Sequence, residues 1–305
     1  MSSARPPLCL LIPAGPGSAE LARIGDLMDA CIAYADTPLC AVVINDGNDP
    51  AALERIGDAR DLPTAVLPNA RAGRGEWWSG GLCMAMMDAL LWIARHRPGS
   101  PVLRLDSDAL VIGPYARLIA SHFDRNPDIG MMGNFDSPNG APVPAGHIVT
   151  TRLYWRSKRI SHDRELGKVL FSFWGWRRKI RLLIGRATTN GYVLGDWCQG
   201  GAYALSPIFL RRLAADRFFA RPADFLPIDF CEDVLMALSV YALDLKIHYT
   251  TGDARLFASK WQGLFAAPET LAAAGHSVIH SVKTHHGRTE AQVRAYYRAR
   301  RLSLP

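Results

Sequence analysis

Short apolar runs alternate with longer amphipathic stretches over the first 135 residues of the chain. LCLLI at 8 to 12, CAVVIN at 40 to 45, TAVLP at 64 to 68 and PVLRL at 101 to 105 are bounded by turn residues and read as buried strands. Helical periodicity over 18 to 34, 50 to 57 and 79 to 96 predicts a helix in each gap. Strand, helix, strand at this spacing predicts an α/β protein with a mostly parallel central sheet flanked by helices on both faces. Ligands of such sheets bind beyond the carboxyl ends of the strands. That points to Pro13 and Ala14, to Asn45 and Asp46, and to Asp106 through Asp108.

IGMMGNF, 129 to 135, predicts a further strand. From Asp136 to Gly191, Pro, Gly, Arg and aromatic residues follow one another without a sustained period, so 136 to 190 reads as an irregular basic insertion. Patterning returns with GGAYAL, helices near 207 to 215 and 232 to 243, the strand LKIHY at 245 to 249, the run HSVIHSV, and a basic C-terminal helix within 286 to 305. With no internal repeat, a single domain over 1 to 305 is the expectation, its halves being 8 to 135 and 191 to 285.

At 305 residues, 49% hydrophobic and 21% charged, the chain can bury a substantial core without staples. Its six cysteines form no CxxC pair and mostly sit in apolar runs, which suits reduced core thiols and favours the cytoplasm. The apolar run Leu8 to Ile12 is too short for a signal-peptide core, and none approaches the length of a spanning helix. Any membrane contact is therefore expected to be peripheral, at the inner face of the cytoplasmic membrane.

The net charge of +7 is unevenly spread. Residues 152 to 186 hold eleven Lys or Arg against two acids, and 288 to 301 hold five Arg against one Glu. Such patches imply an anionic partner or solvated helices. Within 168 to 186, Phe171, Phe173, Trp174 and Trp176 interleave with Arg177, Arg178, Lys179 and Arg181. This suits an anionic lipid surface, or equally a helix that packs its aromatics on the core and shows its arginines to water. No recognised nucleic-acid module accompanies the charge, so nucleic acid is not an expected partner.

The central chemical candidate is Asp106-Ser107-Asp108. With 21 Asp in the chain, more than one acid-x-acid triplet arises by chance, so position carries the weight. Two carboxylates at the exit of a central strand can hold Mg²⁺ or Mn²⁺ against a diphosphate; the alternative is a solvated turn. Asp46 can accept hydrogen bonds from a base or ribose, or be a turn residue before Gly47. Arg71 and Arg74, in the loop NARAGRG, can meet phosphate oxygens or simply be exposed. Glu232-Asp233 opens an apolar helix, where acids suit the dipole and where a carboxylate can also serve as general base for a hydroxyl. Near the C-terminus, His280 or His285 can complete a metal site, with Lys283 neutralising a leaving diphosphate. In a regular strand His280 and Lys283 face opposite sides, so both reach one site only if the chain bends. Glu20 stands where a dinucleotide fingerprint beginning at Gly15-Pro16-Gly17 needs its third glycine, which argues against a nicotinamide enzyme. GRGEWWSGG lacks the Gly-Lys-Ser/Thr ending of a P-loop.

In order, these pieces resemble a GT-A glycosyltransferase. NARAGRGEWWSGGLCMAMMDALL followed by VLRLDSDALVI is similar to the donor half of family-two inverting transferases, including rhamnosyltransferase-like members. DWCQGGAYALS at 196 to 206, then CEDV at 231 to 234, resembles the acceptor half of that family and of the β-1,3-galactosyltransferase and Fringe group, whose metal histidine His280 matches.

The resemblance implies a GT-A-like, Rossmann-like fold with a nucleotide-sugar half at 8 to 135 and an acceptor half at 191 to 285. It implies Asp46 on the donor base, Asp106 on the ribose or metal, Asp108 on the metal and Asp233 as base. Trp197 and the Gly200-Gly201 turn would border the acceptor and donor sugars. Asn45 replaces an acid common in the family-two second strand, and Ser107 interrupts the acidic run of the Fringe group. The implied activity is metal-dependent, inverting in outcome by single displacement, from a UDP- or dTDP-linked sugar to a glycan or lipid-linked acceptor. The Ala/Arg-rich composition associates it with bacterial surface polysaccharide or lipopolysaccharide synthesis. Two rivals stay open: a non-catalytic nucleotide-sugar binding protein, and a haloacid-dehalogenase-like phosphatase, which would want Thr or Val where Leu110 stands and a nucleophile on the first strand.

Overall fold

The computed structural model describes residues 5–73, 79–135, 175–193, 195–228, 230–250, 256–264, 266–285 and 287–304. The first half builds β1 (Leu8–Ala14), α1 (Ser18–Ala33), β2 (Leu39–Asn45), α2 (Pro50–Asp58), β3 (Thr64–Pro68), α3 (Ser79–His96) and β4 (Val102–Leu105). These elements match the expected ones to within two residues at each end. Then come β5 (Leu110–Val111), α4 (Ala116–Arg125), β6 (Ile129–Phe135), α5 (Gly175–Thr189), β7 (Cys198–Leu205), α6 (Pro207–Ala215), α7 (Glu232–Ala242) and β8 (Lys246–Tyr249). The chain closes with β9 (Phe257–Ser259), α8 (Pro268–Ala273), β10 (Val278–His280), the two-residue strands β11 (Thr284–His285) and β12 (Arg288–Thr289), and α9 (Glu290–Leu302).

The class is α/β with a mostly parallel sheet, as expected. Seven strands run in the order β3-β2-β1-β4-β7-β6-β8, and β7 alone is antiparallel to its neighbours β4 and β6. The chain winds outward from β1 through β2 to β3 and then returns to the other side of β1 at β4. The switch point therefore lies between β1 and β4, where their carboxyl ends diverge and leave a crevice.

Period-2 alternation divides each central strand between two cores. Cys9 and Leu11 of β1 and Val42 of β2 face the layer of α3, α5, α6 and α7, whereas Leu10, Ile12 and Val43 face that of α1, α4 and α9. On β4, Val102 belongs to the first layer and Leu103 and Leu105 to the second. The same parity turns Arg104 and Asp106 toward the layer that holds α7.

Two expectations change. The tail of the supposed irregular insertion is the helix α5, whose Ile180, Leu183, Ile184 and Ala187 recur at helical spacing and are buried against the core beside α7. The basic C-terminal patch is solvated only in part, with Arg288, Arg298 and Arg300 exposed. Arg294 and Arg301 are buried and converge on Asp26 of α1 at 2.8 and 2.6 Å. Within the described part of the 168 to 186 stretch, Lys179 pairs with Asp224 at 2.8 Å and Arg186 with Asp216. Phe171, Phe173 and Trp174 lie outside the described residues. Among the described residues no helix is long and apolar enough to cross a membrane, and the described cysteines are free thiols.

Candidate active site and metal centre

The chain leaves β4 at Leu105 and makes a tight turn. The Asp106 amide donates to the Gly201 carbonyl at 2.8 Å, and the Ala109 amide donates back to the Asp106 carbonyl at 2.9 Å. Immediately afterwards β5 pairs antiparallel with β10, joining Leu110 to Ile279, while β10 pairs in parallel with β9. The small sheet thus carries His280, the last residue of β10, to the Asp106-Ser107-Asp108 turn. The Val282 amide ties the two segments together by donating to the Asp108 carbonyl at 2.9 Å.

His280 Nε2 lies 3.3 Å from Asp108 Oδ1 and 3.6 Å from Asp106 Oδ2. Its other ring nitrogen, Nδ1, is 2.8 Å from the Lys260 carbonyl. A carbonyl can only accept, so Nδ1 carries a proton and Nε2 is the ring atom turned toward the two carboxylates. One ligand atom from each of Asp106, Asp108 and His280 lies within 4.8 Å of the others. Two hard carboxylate oxygens and one imidazole nitrogen fit Mn²⁺ or Mg²⁺. His285 is elsewhere: it is buried, with Nδ1 donating to the Leu264 carbonyl at 3.0 Å.

The bend required for Lys283 is present. After β10 the chain turns and brings Lys283 Nζ to 3.2 Å from Asp108 Oδ2. Burial would raise the Asp108 carboxyl, but hydrogen bonds from His280 and Ser281 and the Lys283 charge hold it well below the usual carboxylate range. Burial likewise opposes the Lys283 charge, and Asp108 overcomes it, raising the ammonium above its ordinary value.

Gly200 and Gly201 of β7 set the two halves of the site side by side. The Gly200 amide donates to Asp233 Oδ2 at 3.1 Å, and a Cβ on Gly200 would sit 3.0 Å from the same oxygen. A Cβ on Gly201 would come within 2.4 Å of the His280 ring, and its φ of +94° lies in the region that favours glycine. The candidate base and the metal-type histidine therefore flank consecutive residues. Asp233 Oδ1 also accepts from the Val234 amide at 2.8 Å, which orients the carboxylate at the head of α7.

All of these groups line one cleft of about 430 Å³ at the switch point. Pro13, Asp46 and Arg71 line it as well. Asp46 is buried and accepts from the Gly73 amide at 2.7 Å, so it also holds the loop after β3 in place. Burial holds the Arg71 guanidinium below its ordinary value against the pull of Asp46, Glu232 and Asp106, the acids it faces. Glu20 is in the lining as well, with its charge met by Arg23 at 2.5 Å. Of the site residues expected from sequence, Arg74 lies outside the described residues; apart from His285 and Trp197, the others meet in this cleft. Trp197 does not line it. Only 7% exposed, it packs in the core with Tyr192 and Tyr241.

Two lining residues escaped the sequence reading. Arg104 is 2% exposed, with Nη2 2.9 Å from Asp106 Oδ1 and 2.9 Å from Glu232 Oε1. Its signal was available: a lone cation inside the apolar strand VLRL, in phase with Asp106. Trp261 is 74% exposed at the cleft. It stands in a bend pinned by bonds between Lys260 and His280 and from the Leu264 amide to the Thr284 carbonyl. Nothing in the local sequence marks that position.

Fold and cleft together define an α/β protein with a carboxylate-histidine centre at the open end of its parallel sheet. No protein-family model matches the sequence, and no curated protein sequence matches it. Among solved structures it is similar to a mannosyltransferase of Pyrobaculum calidifontis in complex with GDP-mannose and Mn²⁺, at 16% identity and a TM-score of 0.45, covering 98% of this chain and 63% of that one. The bifunctional glycosyltransferase WbbM in its apo form gives 11% identity and a TM-score of 0.46, with 100% of this chain and 51% of that chain covered. The galactosyltransferase LgtC with donor and acceptor sugar analogues gives 12% and 0.49, covering 97% and 96%. The chain thus spans about two thirds or less of the first two proteins and nearly all of the third.

Proposed function

We propose that the chain is a metal-dependent glycosyltransferase that moves a sugar from a nucleoside diphosphate, UDP- or dTDP-linked, to a hydroxyl of a glycan or lipid-linked acceptor. The observation that carries this reading is the meeting of Asp106, Asp108, His280, Lys283 and Asp233 in one cleft at the switch point. A nucleotide fits the end lined by Pro13, Asp46 and Arg71, with its diphosphate directed toward Lys283 and the carboxylate-histidine centre. A divalent cation held by Asp106, Asp108 and His280 would stabilise the charge that gathers on the departing diphosphate.

The displacement is single. An acceptor hydroxyl gives its proton to the Asp233 carboxylate as its oxygen bonds to the anomeric carbon, and the bond from that carbon to the diphosphate oxygen breaks. The nucleoside diphosphate leaves with the electron pair, and the anomeric configuration inverts. Because Gly200 and Gly201 carry no Cβ, Asp233 and the His280 ring stand directly against the backbone, which brings base and cation centre together around the sugar. Trp261 offers a broad exposed ring at the mouth for the apolar face of an acceptor pyranose.

Glu232 is the weaker base candidate, since its Oε1 is engaged by Arg104 and by the Tyr203 hydroxyl. A phosphatase has less support: β1 ends at Pro13-Ala14 and offers no carboxylate nucleophile. The test is Asp233→Asn. Turnover should fall about 10²- to 10⁴-fold with donor binding intact; near-native turnover rules out the base assignment. If metal and donor bind yet the wild-type protein shows neither transfer nor donor hydrolysis, it is a binding protein. Contact with anionic membrane through 168 to 186 is a separate expectation, and failure to co-sediment with anionic liposomes removes it.

A further inference from the structure

Arg104 is placed to do more than neutralise acids. A single nitrogen, Nη2, touches a carboxylate at each end of the catalytic arrangement: Asp106, in the metal-type centre, and Glu232, next to the candidate base at the head of α7. The guanidinium lies 5.5 Å from the centre of the Tyr203 ring, and the Tyr203 hydroxyl donates to the same Glu232 oxygen at 3.4 Å. Arg104 is directly paired with Tyr203 in the β4 and β7 ladder, so sheet register holds this stack in place. Burial would weaken the Arg104 charge, but Asp106 and Glu232 more than compensate, raising the guanidinium well above its ordinary value.

The hydrogen-bonding inventory is incomplete. Arg104 Nε and Nη1 are buried and have no hydrogen-bond partner among the described residues. A buried guanidinium that uses one nitrogen of three has donor capacity left over, and leaving it unused is costly. We infer that Arg104 is a positioning residue that couples the two ends of the cleft, so that cation binding at Asp106 and the charge on Glu232 are thermodynamically linked. A cation on Asp106 draws charge from that carboxylate and loosens its hold on Nη2. The guanidinium then shifts its weight to Glu232 and draws on its spare N–H groups. In reverse, neutralising Glu232 leaves Arg104 to bear wholly on Asp106, where it competes with the cation. Linkage requires the effect to be equal in both directions.

This inference rests on the metal-dependent transferase reading for its purpose, but its test needs no turnover. Mn²⁺ affinity is measured from the free-ion electron paramagnetic resonance signal in a double-mutant cycle of Glu232→Gln and Arg104→Lys, with the fold of each variant checked by circular dichroism. Lysine keeps the charge but has one nitrogen in place of three, so it cannot redistribute between the two acids. Glu232→Gln should weaken Mn²⁺ binding in the wild-type background, and the loss should be at least about threefold smaller in the Arg104→Lys background. Should Arg104→Lys fail to fold, Arg104→Gln, which removes both the charge and the bridge, takes its place, and the loss caused by Glu232→Gln should again be at least about threefold smaller in that background.

Equal losses in both backgrounds would mean simple through-space attraction and would overturn the coupling. So would a Glu232→Gln variant with native affinity, or a wild-type protein that does not bind Mn²⁺. Additive effects in a protein with full transferase activity defeat only the coupling. A non-additive cycle in a protein without transferase activity upholds the coupling and defeats only the function.

Discussion

At the level of single residues the site is built by exclusion as much as by attraction. Gly201 has no side chain because the His280 ring occupies that space, and its backbone adopts a conformation unfavourable to any other residue. Gly201→Ala therefore forces either the ring away from the carboxylates or β7 away from β4. Backbone strain of this kind costs of order 1 to 3 kcal/mol, enough to weaken Mn²⁺ binding about tenfold or more. Titration of Mn²⁺ into the purified variant checks this, and a native affinity would show that the ring can move without loss. Trp261→Ala should have a different signature. Removing an exposed ring at the mouth should raise the acceptor KM several-fold while leaving the donor KM and the melting temperature unchanged. A rise confined to the donor KM would transfer Trp261 to the donor side.

At the level of elements, the helices far from the cleft hold its turn in place. Arg294 of α9 donates to the Ser107 carbonyl at 2.8 Å while pairing with Asp26 of α1 at 2.8 Å. Arg294→Met leaves Asp26 with less of its buried counter-charge and frees the Asp106-Asp108 turn. Leaving a buried charge alone costs about 3 to 5 kcal/mol; because Asp26 keeps Arg301 and Arg298, the loss should fall below that range, and chemical denaturation should register it together with a weaker Mn²⁺ affinity. A second prediction concerns pH. The rings of His122 of α4 and His248 of β8 lie 4.3 Å apart, tilted by 40°. Burial, then His248 and Arg125, push His122 down to about 4, and burial lowers His248 as well. Both folded values lie below the ordinary 6.5, so their stability contribution is present above pH 6.5 and is lost as pH falls from there toward 4. The depressed carboxylates Asp26 and Asp108 act lower, below their ordinary 3.8. The histidine pair therefore owns the upper window, and His122→Phe should flatten the melting temperature between pH 6.5 and 4.5 without altering its fall below 3.8. These supports show what the sequence could reveal. Strands β1 to β4 were legible because each is an apolar run between turns, and the Asp106-Asp108 turn because it ends one of them. β5 and β9 are too short to show alternation. The Asp26-Arg294-Ser107 chain was illegible because its members are far apart in sequence, and α9 looks solvated until α1 is packed against it. The resemblance put Trp197 at the substrates, yet it is core; among the described residues the exposed tryptophan is Trp261, placed by hydrogen bonds of its flanking residues to a segment that follows it.

At the level of the whole molecule, a basic chain encloses an acidic cleft. The net charge is +7, yet Glu20, Asp46, Asp106, Asp108, Glu232 and Asp233 line the cleft against the cations Arg71, Arg104 and Lys283. A nucleoside diphosphate adds further negative charge to this surplus and is repelled until a divalent cation offsets it. The cation, for its part, gains oxygen ligands when the diphosphate enters. Each should therefore tighten the other, and binding should be strongly non-additive. Melting temperature is the convenient readout, because a ligand that binds only the folded chain stabilises it by about 2.7 kcal/mol at a hundred times its dissociation constant. For a chain of 305 residues that is a rise of roughly 4 °C. Mn²⁺ alone should give a smaller rise, a nucleoside diphosphate with chelator almost none, and the two together more than their sum. The cooperative increment should vanish in Asp108→Asn, since that substitution removes a ligand while leaving the nucleotide end of the cleft intact. A full rise with nucleoside diphosphate in the presence of chelator would show that Arg71 and Lys283 alone hold the phosphates, and the carboxylate-histidine centre would lose its role in donor binding.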